Sequence, residues 1–217
     1  MPASTAPLAS QQAAIVARFQ RLNAARDRAL DDGRQAIRLS ANAIRALHRA
    51  EHAEADALLA EARALVAALT ADLRDLPGLY WQGYVQDAMK EYAEAAITVA
   101  LVRDEPVPGP EALGVEDAPW LNALAEAASE LRREALDHLR RGDAATAERL
   151  LAAMDDVYDL LVSIDFPDGI TGGLRRTTDQ LRGVLERTRA DLTLILTQER
   201  LSAAIDAAQR RFDQAPG

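Results

Sequence analysis

The sequence predicts an all-α fold. Apolar residues recur at spacings of three, four and seven along most of the chain, no segment alternates with the two-residue period of a strand, and Ala, Leu, Arg and Glu supply most of the residues. Aromatics are only 4% against 49% hydrophobic residues, so the helices are expected to pack closely through small side chains. A chain of 217 residues can bury a full core as one domain. That domain is read as residues 11–212, with flexible ends at 1–10 and 213–217.

The first helix is expected from about Leu8 to Ala50, because Ile15, Phe19, Leu22, Ala29, Ala36, Ile37, Ile44 and Leu47 repeat on one face. At 1.5 Å per residue such a helix extends roughly 60 Å, which is longer than a compact domain of this size needs. A helix of that length calls for a partner chain. A second helix, 53–76, carries Leu58, Leu59, Ala62, Leu65, Val66 and Leu69 and ends at Pro77-Gly78. A third spans 80–103 and stops before the loop containing Pro106, Pro108, Gly109 and Pro110. A fourth starts near Pro119, a residue suited to a first helical turn, and runs to Arg141. Gly142 breaks the pattern, Asp143 can cap a fifth helix to Ser163, and a last helix follows 167–173 and covers 174–211.

Composition removes several chemistries. The chain has no cysteine, so disulfides, thiolate metal sites and cysteine nucleophiles are excluded. No signal-peptide pattern and no apolar run of membrane-spanning length is visible, which leads us to expect a soluble cytoplasmic protein with no membrane partner. The formal charge of −9 argues against coating nucleic acid by bulk electrostatics, although a local basic surface remains open. Nearly all the positive charge is arginine, Lys90 being the one lysine, and the planar arginine fork suits bidentate phosphate contact, although in an Arg- and Ala-rich chain the base composition of the gene accounts for the same bias.

Acidic residues at helical spacing are the candidates for chemistry. Asp87, Glu91 and Glu94 share one face of the third helix, and Glu126, Glu130 and Glu134 recur every four residues on the fourth. Carboxylates so placed can hold Mg²⁺ or Mn²⁺, although acids at this spacing are, taken alone, mostly a solvated face. The apolar neighbours Tyr84, Val85, Ala88, Tyr92, Ala95, Ala96 and Val99 favour the first reading, since acids on a buried helix need partners or a metal. The stretch from His48 to His52 has the spacing of an inverted zinc-protease motif, but the helix break expected near Glu51 separates the two imidazoles. Arg141-Gly142-Asp143 reads as a junction between helices. No glycine loop of phosphate-binding type is present.

Several stretches, in order and at compatible spacing, resemble the translin and translin-associated factor X family. They are Arg34 to Arg49, Lys90-Glu-Tyr-Ala-Glu-Ala95, Pro119 to Arg133, Arg141-Gly-Asp143, Tyr158-Asp-Leu-Leu161 and Leu174 to Arg182. The second is similar to the Gln-Glu-Tyr-Val-Glu-Ala segment of the nuclease branch, and the likeness covers about residues 26 to 195. The resemblance implies a bundle of six or seven helices assembling into a hollow homo-oligomer, an octamer, around single-stranded RNA or DNA. It implies an Mg²⁺-dependent endoribonuclease, with Mn²⁺ as a substitute, in which water attacks the phosphodiester of single-stranded RNA. Glu91 and Glu94 match the two catalytic and metal-binding glutamates of that segment. Glu126 falls where the family has an aspartate, one methylene shorter, and Glu130 is the alternative ligand. The family's glycine four residues earlier is Asn122 or Ala123 in this chain. Arg132, Arg133, Arg175, Arg176 and Arg182 are the candidate phosphate contacts. Two rivals stay open, a non-catalytic single-strand nucleic-acid binder like translin itself and an unrelated helical scaffold.

Overall fold

The structure, a computed structural model, describes residues 6–213. The ends expected to be flexible therefore lie partly outside the described residues, at 1–5 and 214–217, while 6–10 open the first helix and Asp213 closes the last. The described residues form helices and no strand: α1 (Ala6–His48), α2 (His52–Leu73), α3 (Pro77–Tyr80), α4 (Gly83–Val102), α5 (Pro110–Leu113), α6 (Asp117–Arg140), α7 (Ala144–Val162), α8 (Asp168–Thr171) and α9 (Leu174–Asp213). The fold is all-α, as the periodicity predicts. The one-turn helices α3, α5 and α8 occupy segments that sequence reasoning read as breaks. A proline opens or immediately precedes each of them, because its fixed φ suits a first helical turn.

By its internal packing the described chain forms two compact units, 6–95 with 110–119 and 96–109 with 120–213; the division falls inside α4. In the first, α1 and α2 form a helical hairpin. α1 buries Ala25, Ala29, Ala36, Leu39, Ala43 and Leu47, and α2 buries Ala55, Ala62, Val66, Leu69 and Leu73, so alanines at three-, four- and seven-residue intervals let the two axes approach. The turn between them places Ala50 at φ +60°, and Glu51 N–H closes it on the carbonyl of Ala46 at 2.9 Å. Gly33 of α1 faces α4: a Cβ there would sit 3.4 Å from the Tyr84 carbonyl oxygen and 3.7 Å from Ala88 Cβ.

α2 has 22 residues against the 43 of α1, about 33 Å against about 65 Å, so it covers only half of its partner. Ile15 and Phe19, expected on the buried face of the first helix, are accordingly exposed, together with Leu8 and Val16. Near the other end of this unit the Tyr80 hydroxyl donates to Glu116; burial, reinforced by that carboxylate, pushes the phenol up to about 12 and keeps it a neutral donor.

The second unit is built on α7 and α9, which bury Leu150, Met154, Val157 and Leu161 against Leu174, Leu181, Leu185 and Leu192. Arg149 of α7 donates to the carbonyls of Leu101 and Val102, both at 3.1 Å, satisfying the last turn of α4. Trp120 Nε1 donates to the Pro108 carbonyl at 2.9 Å and ties down the proline-rich loop. The expected junction at 141–143 is present, with Gly142 at φ +80° and the Asp143 carboxylate accepting from Thr146 N–H at 3.1 Å as the cap of α7. Beyond Leu192 the side of α9 that carries Leu194, Leu201, Ile205 and Phe212 is exposed. No described helix is long and apolar enough to cross a membrane.

Candidate metal centre

Glu91 and Glu94 stand one turn apart on α4 and are half-buried, while Tyr92, Ala93, Ala95, Ala96 and Ile97 around them are buried. The apolar run that makes α4 a core helix thus carries two acids with limited access to water. Burial pushes the Tyr92 phenol up, against a smaller opposite pull from Arg63, and keeps it neutral. Lys90 Nζ lies 3.0 Å from Glu91 Oε1, with the two side chains only 20% and 30% exposed. Asp87, the third acid of this face, is exposed.

Glu126 is half-buried between buried Ala125 and Ala127 on α6. Glu91 and Glu94 of the first unit and Glu126 of the second each offer a carboxylate oxygen as a candidate cation ligand. Glu130, one turn along α6, is half-buried, and Glu134 is buried. Three hard, anionic oxygens and no nitrogen or sulfur suit Mg²⁺ or Mn²⁺. His48 closes α1 and His52 opens α2, so the histidine pair does not share a helix, in keeping with the break that the sequence predicts there.

The arginines divide. Arg132 is half-buried and engaged, donating to Asp191 at 2.7 Å and to Thr188 Oγ1 at 3.2 Å. Arg133, Arg175, Arg176 and Arg182 are exposed on α6 and α9; Arg175 pairs loosely with Asp165 at 3.3 Å and Arg182 with Asp179 at 3.9 Å.

Among solved structures, the chain is similar to AfC3PO, at 32% identity and a TM-score of 0.80, over 87% of this chain and 98% of that one. The chain belongs to the translin/Trax family. The same protein, in a structure with duplex RNA, matches equally well, at 32% identity and a TM-score of 0.80 over 87% of this chain and 97% of that one. Apo-NeC3PO shares the translin/Trax fold at a TM-score of 0.77 over 85% of this chain and 96% of that one, with 20% identity. No protein-family model matches the chain. A curated relative, an uncharacterised protein of Methanocaldococcus jannaschii, is 28% identical over 133 residues, 61% of this chain and 60% of that protein's length.

One residue of this translin/Trax chain is missed by sequence reasoning except as a register mark. Asn122, with Ala123 one of the two candidates for the place of the family's glycine, is buried; its Nδ2 donates to the Thr171 carbonyl at 2.8 Å, and its Oδ1 accepts from Thr177 Oγ1 at 2.7 Å. The available signal was a lone amide inside the apolar run from Trp120 to Ala128. A buried amide must be hydrogen-bonded, but nothing in the local pattern names its partners some fifty residues away.

Proposed function

We propose that this protein is an RNA-binding, Mg²⁺-dependent endoribonuclease of the translin/Trax family, acting on single-stranded RNA as a homo-oligomer. The observation that carries the reading is the pair Glu91 and Glu94, half-buried one turn apart on the apolar helix α4. The all-oxygen donor set fits a hard divalent cation, and AfC3PO, a relative at 32% identity, has been captured with RNA, there as a duplex.

On this reading Glu91, Glu94 and Glu126 hold Mg²⁺, or Mn²⁺ in its place. A cation held there supplies Lewis-acid activation of water and of the phosphoryl group. The residues of the chain do the rest. Tyr92 and the buried alanines limit water around the acids, and Lys90 partly offsets their charge. The exposed Arg133, Arg175, Arg176 and Arg182 contact phosphates without reading sequence. Arg132 acts by fixing α6 to α9 rather than by meeting RNA, since its guanidinium is already engaged. The exposed apolar residues of α1 and α9 provide surface for assembly into an oligomer, an octamer in our proposal.

The test is incubation of the purified protein with labelled single-stranded and duplex RNA, with Mg²⁺ and with EDTA. We expect Mg²⁺-dependent cleavage of the single strand. Glu91→Gln and Glu94→Gln should each remove most of it, by about a hundredfold or more, while RNA binding stays equal or slightly stronger because phosphate repulsion falls. Full activity in the Glu91/Glu94 double variant overturns the mechanism. RNA or DNA binding with no metal-dependent cleavage establishes instead the non-catalytic, translin-like alternative.

A further inference from the structure

Twenty-five residues of this chain are Lys or Arg, and the single lysine among them lies beside the candidate metal ligands. Lys90 is four-fifths buried, and its Nζ lies 3.0 Å from Oε1 of Glu91, itself 30% exposed. The geometry points to Lys90 as a positioning residue: we infer that its ammonium holds Glu91 Oε1, presents Glu91 to the metal through Oε2 alone, and so selects a small octahedral cation over Ca²⁺. This inference rests on the metal-site reading proposed above.

The argument is one of coordination chemistry. A carboxylate with both oxygens available can bind side-on, which Ca²⁺ accepts readily at 2.3 to 2.6 Å; Mg²⁺ and Mn²⁺ favour one oxygen per carboxylate in near-octahedral geometry, Mg²⁺ most strictly at 2.0 to 2.1 Å. A donor fixed on one oxygen removes the side-on mode. Lysine suits this task because its ammonium is compact and its donors can turn toward one oxygen, whereas the flat fork of arginine tends to engage both. Pure charge compensation has a different signature, since removing one positive charge strengthens every divalent cation alike. The ratio of affinities therefore isolates the positioning role.

The experiment is calorimetric titration of metal-free, full-length protein with Mn²⁺ and, separately, with Ca²⁺, for the wild type and for Lys90→Met, which keeps the apolar stem. The wild type should prefer Mn²⁺ by at least about tenfold, and Lys90→Met should shift the ratio toward Ca²⁺ by about tenfold, the scale of outer-shell effects on metal sites. An unchanged ratio in a folded Lys90→Met variant overturns the inference while leaving the metal site standing. If that variant does not fold, the wild type still decides, because equal affinity for the two ions is incompatible with a one-oxygen Glu91. A wild type that takes up no Mn²⁺ brings down the metal reading and this inference together.

Discussion

Thr177 Oγ1 donates to Asn122 Oδ1 at 2.7 Å in a fully buried contact, and the same amide reaches the Thr171 carbonyl at 2.8 Å. One side chain therefore ties α6 to α8 and to the first turn of α9. Asn122→Ala leaves a buried hydroxyl and a buried carbonyl without this partner, at about 1 to 3 kcal/mol for the pair of contacts. Urea unfolding should show a lower midpoint with an unchanged slope. A midpoint within error of the wild type would mean that water replaces the amide at no cost.

Gly33→Ala should stabilise the protein by up to about 1 kcal/mol, because glycine inside a helix is intrinsically unfavourable and the added methyl meets the Tyr84 carbonyl oxygen at ordinary contact distance, 3.4 Å. Gly33→Val adds two methyls where α1 already lies against α4 and should destabilise instead. Thermal melts of both variants check the sign. If Gly33→Ala melts lower, α1 and α4 are closer than van der Waals contact allows.

The cap of α7 makes stability depend on acid. Hydrogen bonds from Thr146 first, and then from His138, whose Nδ1 lies 2.9 Å from Asp143 Oδ2, hold the Asp143 carboxyl down at about 2. A depressed folded-state value means that the contribution is fully present above the unfolded carboxylate range near pH 4 and is lost as pH falls through about 2. Asp143→Ala should thus melt below the wild type at pH 5, with the gap mostly closed at pH 2 and gone below it. A gap of full size at pH 2 would assign the effect to helix propensity.

Self-association, proposed from the exposed Ile15, Phe19, Leu194 and Leu201, should give a species well above the 23.5 kDa monomer by light scattering at micromolar concentration. Phe19→Glu combined with Leu194→Glu should reduce its mass while circular dichroism stays helical. A wild type that scatters as a monomer rules the assembly out.

The six long helices were legible because each buries a stripe repeating every three or four residues, and their ends moved by only a few positions. The one-turn helices were not, because a single turn has no period to detect. Within the site, the spacing of Glu91 and Glu94 was visible, since one helix fixes both. The choice between Glu126 and Glu130 was not, because both fit a helical face and periodicity ranks neither above the other.

By itself the sequence determined the all-α class, the order of the helices, the exclusion of thiolate chemistry and the shared helical face of Asp87, Glu91 and Glu94, all of which follow from local periodicity and residue type. The tertiary structure alone decided that Arg132 is bound to Asp191, that Asn122 is a buried tie to Thr171 and Thr177, and that Ile15 and Phe19 stay exposed beyond the reach of α2. Helical periodicity says which side chains share a face. It carries no information about which distant segment that face meets, because those partners are chosen by packing across some fifty residues of chain.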